Sequence, residues 1–429
     1  MPHTIYLDSN ATTHVLPAAV NAATRAMVEQ FGNPSSSHSD GLVAKALLEQ
    51  TRATAAQVLG AGDGQVVFTS GATEGIQTAV LSALRAIGPR RAGQGGQLVV
   101  YGATEHKAVP HALEHWNSVL GLGLDIRVLP VCADGQHDLA TLAAWLPGVA
   151  LLCTMAANNE TGVVSNLAAI KKMLIQANSN ALWLVDGVQA LGKLDLHLHN
   201  SRIDYAPFSG HKLYAPKGIG MLYVRRGAPF TPLMAGGGQE GGLRSGTENM
   251  PGIAALGAVL QALLRGDTFA SHTTLRGYRD QLERCLRSAF PAIAFNAPLE
   301  RSLPTTLNFS VPGISSKTLL DVFDAAGLRV SAGSACSAAQ SAPSYVLDAM
   351  GQSAWRTTSA VRLSIGALVS SQLVDAACVA ITRCGPLLRA LAEADARELG
   401  HASAGGATDP LPALGAASSD EATTALTLS

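Results

Sequence analysis

Short apolar runs separated by longer amphipathic stretches fill the first half of the chain, and this alternation restricts the fold more than any other feature. Residues 65–69, 97–101, 125–131, 149–155 and 181–185 read as buried strands. Between them, stretches such as 104–119 and 166–177 carry helical periodicity. Strand–helix alternation of this kind predicts a mainly parallel sheet with helices on both faces. Ligands in such sheets bind beyond the carboxyl ends of the strands, so chemistry is sought in the residues that follow each run.

The texture changes near Asn249. Two helical patterns, 252–264 and 275–290, precede strand-like runs at 305–311 and 360–365, with a helix near 317–326. The expected fold class is α/β, a large domain with a mainly parallel sheet plus a smaller α+β domain. The expected boundaries are 16–262 for the large domain and 1–15 with 263–395 for the small one. Residues 396–429 form an Ala-, Ser-, Thr- and Gly-rich tail, expected to be disordered because it has too little apolar surface to offset its ordering entropy.

Composition narrows the function classes. With 429 residues and 47% hydrophobic content, the chain can bury a large core. A net charge of -1 from 30 basic and 31 acidic side chains argues against a nucleic-acid or membrane surface. No apolar run is long enough to span a bilayer, and residues 1–10 lack the pattern of a secretory signal, so a cytoplasmic location is expected. The 6 cysteines, Cys132, Cys153, Cys285, Cys336, Cys378 and Cys384, form no C-x-x-C pair, which leaves metal clips without support.

Three segments carry candidate chemistry. In Phe68-Thr69-Ser70-Gly71-Ala72-Thr73-Glu74-Gly75 a strand ends and a helix opens, which suits an anion at the free N–H groups; a plain helix cap fits the same pattern. Leu182-Trp183-Leu184-Val185-Asp186-Gly187-Val188-Gln189 ends an apolar strand in an acid. Asp186 can pair with a protonated pyridine nitrogen, or cap the next helix. Gln189 can reach a ring's phenolic oxygen. In Ser209-Gly210-His211-Lys212, behind the expected strand 203–208, Lys212 suits a Schiff base if its amine is held neutral; an isolated lysine would read as an exposed surface residue.

Taken in order, these segments resemble the fold-type-I pyridoxal-phosphate enzymes, and more closely the cysteine desulfurases of the nitrogen-fixation and iron–sulfur-cluster type. The likeness runs from Ile5-Tyr6-Leu7-Asp8-Ser9-Asn10-Ala11-Thr12-Thr13 to about Gly366. It includes Gly32-Asn33-Pro34-Ser35-Ser36, Thr104-Glu105-His106-Lys107, Asn158-Asn159-Glu160-Thr161-Gly162 and Arg244-Ser245-Gly246-Thr247. The resemblance implies pyridoxal 5'-phosphate as cofactor, linked to Lys212. It implies Asp186 at the pyridine nitrogen, with Gln189 and Asn159 at the ring oxygen region. His106 would stack on the ring and help move protons. Ala72, Thr73, Ser209 and His211 would hold the phosphate. Thr247 would reach the phosphate of a neighbouring subunit, which implies a homodimer. Asn33 and Arg362 would orient the substrate carboxylate, a task the planar guanidinium suits.

Val330-Ser331-Ala332-Gly333-Ser334-Ala335-Cys336-Ser337-Ala338 surrounds one cysteine with small residues, as expected of an accessible loop thiol. Its thiolate can take sulfur from free L-cysteine, leaving L-alanine and an enzyme persulfide. The stretch through Ser344-Tyr345-Val346-Leu347 is similar to the long-loop branch of the family, which implies delivery of sulfur to a scaffold or carrier protein. Two alternatives stay open: a selenocysteine lyase or other lyase on the same scaffold, and a non-catalytic desulfurase-like scaffold. The scaffold reading expects loss of the lysine, the loop cysteine or the arginine, and this chain keeps all three. Gly75-Ile76-Gln77 and the acidic, Ala-rich C-terminus depart from the family pattern, and neither names the sulfur acceptor.

Overall fold

Strands buried on both faces must be apolar without interruption, while their side chains still alternate between two packing layers. The computed structural model describes residues 4–89, 97–332 and 343–404, with side chains as far as Leu391. It begins with β1 (Ile5–Tyr6), α1 (Pro17–Val28) and α2 (Ser39–Leu59). Then β2 (Gln65–Thr69), α3 (Ala72–Ile87), β3 (Leu98–Gly102), α4 (Ala108–Val119), β4 (Asp125–Leu129), α5 (Leu139–Trp145), β5 (Val149–Met155), α6 (Leu167–Gln176) and β6 (Leu182–Asp186) alternate. The strands β7 (Tyr205–Ser209) and β8 (Gly220–Val224) follow, and α7 (Met250–Arg265) closes this half.

Seven of these strands form one sheet in the order β2-β8-β7-β6-β5-β3-β4. All run in one direction except β8, which lies antiparallel between β2 and β7. The two-residue period is visible in β6. Trp183 and Val185 join a core with Leu48, Leu59, Leu256 and Leu260 on the face of α2 and α7. Leu184 faces the other way, into a core with Ile76, Val80, Leu84 and Leu113 of α3 and α4. The expected runs 65–69 and 149–155 coincide with β2 and β5, and the other expected strands of the sheet are offset by one or two residues.

The second half contains α8 (His272–Ala289), β9 (Ala294–Phe295), β10 (Thr306–Ser310), α9 (Ser316–Ala325), β11 (Leu328–Arg329), β12 (Ser331–Ala332), α10 (Tyr345–Ala349), α11 (Ala354–Ser359), β13 (Val361–Ser364) and α12 (Ser371–Ala404). A four-stranded antiparallel sheet, β12-β13-β10-β9, packs Phe309 and Leu363 into a separate core with Leu282, Leu286, Phe323 and Ile381. The first residues pair here rather than with the large sheet: β1 runs parallel to β11, and Asp8 bridges to Ser364. The helix α12 continues to Ala404, past position 396 where sequence composition predicts the tail to begin. Ala, Leu, Glu and Arg dominate 390–399, and these are strong helix formers that need no core to persist through a turn or two. The remainder of the tail, 405–429, lies outside the described residues.

Candidate active site

The carboxyl ends of β2, β3, β5, β6 and β7 open on a cavity of about 500 Å³. It gathers ten side chains expected at a site: Ala72, Thr73, His106, Asn159, Asp186, Gln189, Ser209, His211, Lys212 and Arg362. Asn33 and Thr247 are exposed and are not among the lining residues. Asn33 is engaged by its own turn, where Oδ1 accepts from the Ser35 N–H at 2.9 Å. Cys336 lies outside the described residues.

Lys212 follows the end of β7. Its Nζ donates to the backbone oxygens of Asn10 at 2.8 Å and Ala11 at 2.6 Å. That N-terminal segment is fixed in turn by the end of β13, with Ser9 N donating to Ser364 O and Asn10 N to Ser364 Oγ, both at 3.0 Å. Asp186 ends β6 at 5% exposure and accepts from the Val188 N–H at 2.9 Å. Burial raises its pKa, while the Val188 N–H, His106 and Lys212 oppose that rise. A carboxylate so placed needs a cationic partner on the cavity side.

His106 stands between β3 and α4. Its Nδ1 accepts from the Ala108 N–H at 3.2 Å, which leaves the proton of the neutral ring on Nε2. Burial lowers its pKa, and Lys212 and Lys107 add to that effect against the attraction of Asp186. The turn that presents Asn159 is built by its neighbour. Asn158 Oδ1 accepts from the N–H groups of Glu160 and Thr161, each at 2.9 Å. Gly162 completes the turn at φ 78°, where a Cβ would also lie 2.8 Å from the Thr306 Cβ. Asn159 Oδ1 is buried with no protein partner.

The start of α3 has Gly71 as its N-cap, with no side chain capping it, so the first N–H groups remain for an anion. His211 stands beside this end of the cavity. Burial, then the charges of Lys212 and Lys217, push its pKa down to about 4, so the ring is neutral at pH 7. Glu74 accepts from Arg244 Nε at 2.9 Å and ties the segment carrying Thr247 to the same helix start. Across the cavity, Arg362 is 1% exposed and sends Nη2 to Asp8 Oδ1 at 2.6 Å and Nη1 to Asn159 O at 3.0 Å. Its Nε has no protein partner.

Sequence reasoning assigned no role to Asn10, Glu105, His137, Lys193 or Tyr345. Asn10, Glu105 and Tyr345 stand inside quoted motifs, which was the available signal; Lys193 and His137 gave none. Tyr345 OH donates to Glu105 O at 3.0 Å, and Ser344 Oγ to Glu160 Oε2 at 2.6 Å. His137 is 5% exposed with neither ring nitrogen partnered, and burial pushes its pKa down to about 4. Gly102 admits the ring, since a Cβ there would lie 2.5 Å from His137 Cε1. A base with a depressed folded pKa contributes stability that is full above its ordinary value near 6.5 and is lost as pH falls towards about 4. The loss on acidification is about 3 kcal/mol. Glu105, buried and beside Asp186, has a raised pKa and contributes in the opposite sense, losing stability as pH rises from the ordinary carboxyl range. Urea unfolding of His137→Leu between pH 6.5 and 4 is expected to show a flattened acid-side slope relative to the parent. An unchanged slope would mean that His137 is not the group that titrates.

A mainly parallel sheet whose strand ends gather a lysine, a buried aspartate and an open helix N-terminus defines the fold-type-I class of α/β enzymes. The family described as aminotransferase class-V matches residues 5–376. A cysteine desulfurase from Cereibacter sphaeroides is 37% identical over 398 residues, covering 92% of this chain and 99% of that protein. The cysteine desulfurase NifS of Azotobacter vinelandii is 36% identical over 375 residues, covering 86% and 90%. Among solved structures, a NifS-like protein superposes with a TM-score of 0.80 at 30% identity, covering 90% of this chain and 100% of that one. SspA in complex with cysteine superposes at 0.73 with 27% identity, covering 86% and 100%. The chain belongs to the class-V aminotransferase family, among its cysteine desulfurases.

Proposed function

We propose that the protein is a pyridoxal-phosphate-dependent cysteine desulfurase that converts L-cysteine to L-alanine and collects the sulfur as a persulfide on Cys336. The observation that carries this reading is the convergence of Lys212, Asp186, His106 and Arg362 on one cavity. The residues fit the cofactor. The unpartnered Asn159 Oδ1 and the buried Asp186 carboxylate ask for polar partners, and the uncapped start of α3 suits a phosphate. Lys212 would hold the aldehyde carbon, Asp186 the ring nitrogen, and Gln189 and Asn159 the ring oxygen region. Ala72, Thr73, Ser209 and His211 would hold the phosphate. When bound, the cofactor supplies an electron sink through its protonated ring.

The protein's own groups do the rest. Arg362 binds the substrate carboxylate through its fork, with Nε unengaged and Asp8 fixing the guanidinium plane. His106, neutral with its proton on Nε2, would lie against the ring and exchange protons with the substrate. The Lys212 amine, placed by two carbonyl oxygens, receives and returns a proton at the substrate's α-carbon. The Cys336 thiolate attacks the substrate sulfur. The sulfur–sulfur bond forms as the Cβ–S bond breaks, and the electron pair stays with Cβ, which takes up a proton to become the alanine methyl group. Sulfur is oxidised as Cβ is reduced, so the step needs no outside oxidant.

The persulfide would pass to a scaffold or carrier protein, serving iron–sulfur clusters or thiolated products. A homodimer with Thr247 reaching across fits that residue's exposure and the Arg244–Glu74 tether beside α3. Asn33 does not line the cavity of its own chain, and its part in holding the substrate carboxylate stays a proposal from the family resemblance. A cytoplasmic location accords with the expected chemistry of free thiols; among the described residues no helix is long and apolar enough to cross a membrane. The test is direct: purified protein with L-cysteine and a thiol reductant is expected to release alanine and sulfide in equal amounts. Release of pyruvate and ammonia in place of alanine would overturn the reading.

A further inference from the structure

Lys193 stands behind Gln189, away from the lining of the cavity. Its Nζ donates to Gln189 Oε1 at 2.7 Å and to Asn10 Oδ1 at 3.4 Å. Gln189 Nε2 donates to Asn10 O at 3.1 Å, and the same oxygen receives Lys212 Nζ at 2.8 Å. Gln189 and Asn10 are 3% and 1% exposed, so neither exchanges these partners for bulk water. Asn10 is anchored further by its Nδ2, which donates to Thr306 Oγ1 at 2.9 Å and Asn159 O at 3.2 Å.

The two ends of a glutamine amide are nearly alike in shape but opposite in hydrogen-bonding sense. An ammonium only donates, so it accepts just one of the two amide orientations, the one with Oε1 turned towards it. With Oε1 held from behind and one N–H given to Asn10 O, the second N–H is the donor left on the cavity side. A flipped amide would present an acceptor there and would set Nε2 against a cation.

We propose that Lys193 is a positioning residue, which, while protonated, locks the Gln189 amide with its N–H towards the cavity and, as a second cation sharing Asn10 with Lys212, favours the neutral form of the Lys212 amine. The first half of this inference rests on the proposed cofactor reading; the second concerns the protein alone. The charged groups facing Lys193 are Lys212 and Arg362, both cations, and Arg362 carries Asp8 as its own partner. Asp186 and His106 face Lys212 from the other side. Burial, with Lys212 and Arg362 nearby, pushes the Lys193 pKa down to about 7, so both effects act below about pH 7 and fade above it.

The test uses Lys193→Met and Lys193→Arg in the full chain. In cofactor-free protein at about pH 6, where Lys193 is largely protonated, reductive methylation read by peptide mass spectrometry gives the rate at which Lys212 is labelled. Removing the nearby cation is expected to slow that labelling about tenfold in Lys193→Met. Titration with pyridoxal phosphate at the same pH is expected to show about tenfold weaker binding in the same variant, the scale of one lost hydrogen bond to an ordered amide. Lys193→Arg keeps the charge and a donor, and is expected to restore both properties. Wild-type labelling and wild-type cofactor binding in Lys193→Met would overturn the proposal. So would an Arg variant as impaired as the Met variant, because a packing role and not a cation would then explain both. A parent protein that binds no pyridoxal phosphate would sink the cofactor reading, and the labelling series would still judge Lys193.

Discussion

Lys212→Ala is expected to purify without the visible absorbance band of the parent protein and to form alanine at least about a thousandfold more slowly, because no other amine is placed to replace a covalent link. The cavity also meets Lys107 and Lys217, but neither matches Lys212. Lys107 stands over the Tyr345 ring at 5.7 Å, and Lys217 is exposed. Only Lys212 among the three follows a strand of the sheet directly and is held by two backbone oxygens. The substitution leaves those oxygens at the edge of a cavity, where water can take the place of the ammonium. The stability cost should therefore stay within about 1–2 kcal/mol. Borohydride reduction of the loaded parent, followed by peptide mapping, is expected to place the cofactor on Lys212. A label on Lys107, Lys193 or Lys217 would overturn the assignment, as would a Lys212→Ala variant that keeps the visible band.

Much of the large sheet was legible because parallel strands covered on both faces need unbroken apolar runs, and five such runs stand in the first half. The strand β8, Gly-Met-Leu-Tyr-Val, has the same texture and escaped notice. It follows β7 by a short loop and runs back beside it, outside the strand–helix rhythm. The helices α1, α2 and α12 were also unread; in α2 an alanine-rich sequence gives weak apolar contrast between faces. Ten residues expected from motif order line one cavity, and all but Arg362, which lies within β13, stand at or after a strand end or in a turn that local chemistry fixes. The Asn158 turn, with its side chain satisfying two N–H groups, is an example. Lys193 was missed because its partnership with Asn10 spans 183 positions and leaves no local pattern. His137 gave no signal either, since a histidine without partners is defined only by what buries it.

Cys336→Ser is expected to bind pyridoxal phosphate as the parent does, and to give the coloured product with L-cysteine, while alanine release falls by orders of magnitude and no persulfide forms. The reason begins with the other five cysteines, none of which lines the cavity. Cys153 is fully buried, and burial with Glu105 nearby holds its thiol well above the usual range. Cys378 is pushed up to about 12 by burial and its neighbour Cys285, and Cys384 is raised by burial. Thiols so shifted are almost never thiolates at neutral pH, and the thiolate is the nucleophile. Cys132 is exposed but belongs to the turn that leads to His137. The flanks of 333–342 are placed differently. On one side Ser331 pairs with Arg362 in β12 and β13; on the other, Tyr345 and Ser344 bond to Glu105 and Glu160. Both flanks thus leave from the cavity wall, and Cys336 is four residues beyond Ala332, a chain span of at most about 14 Å. A serine hydroxyl in its place is a far weaker nucleophile towards sulfur, so binding should survive and transfer should not. The experiment pairs a spectral titration of Cys336→Ser with L-cysteine, an alanine assay, and mass spectrometry of the parent after substrate. Alanine formed at the parental rate, or a persulfide mapped to any of the other five cysteines, would overturn the role assigned to Cys336 and leave a lyase that needs no enzyme thiol.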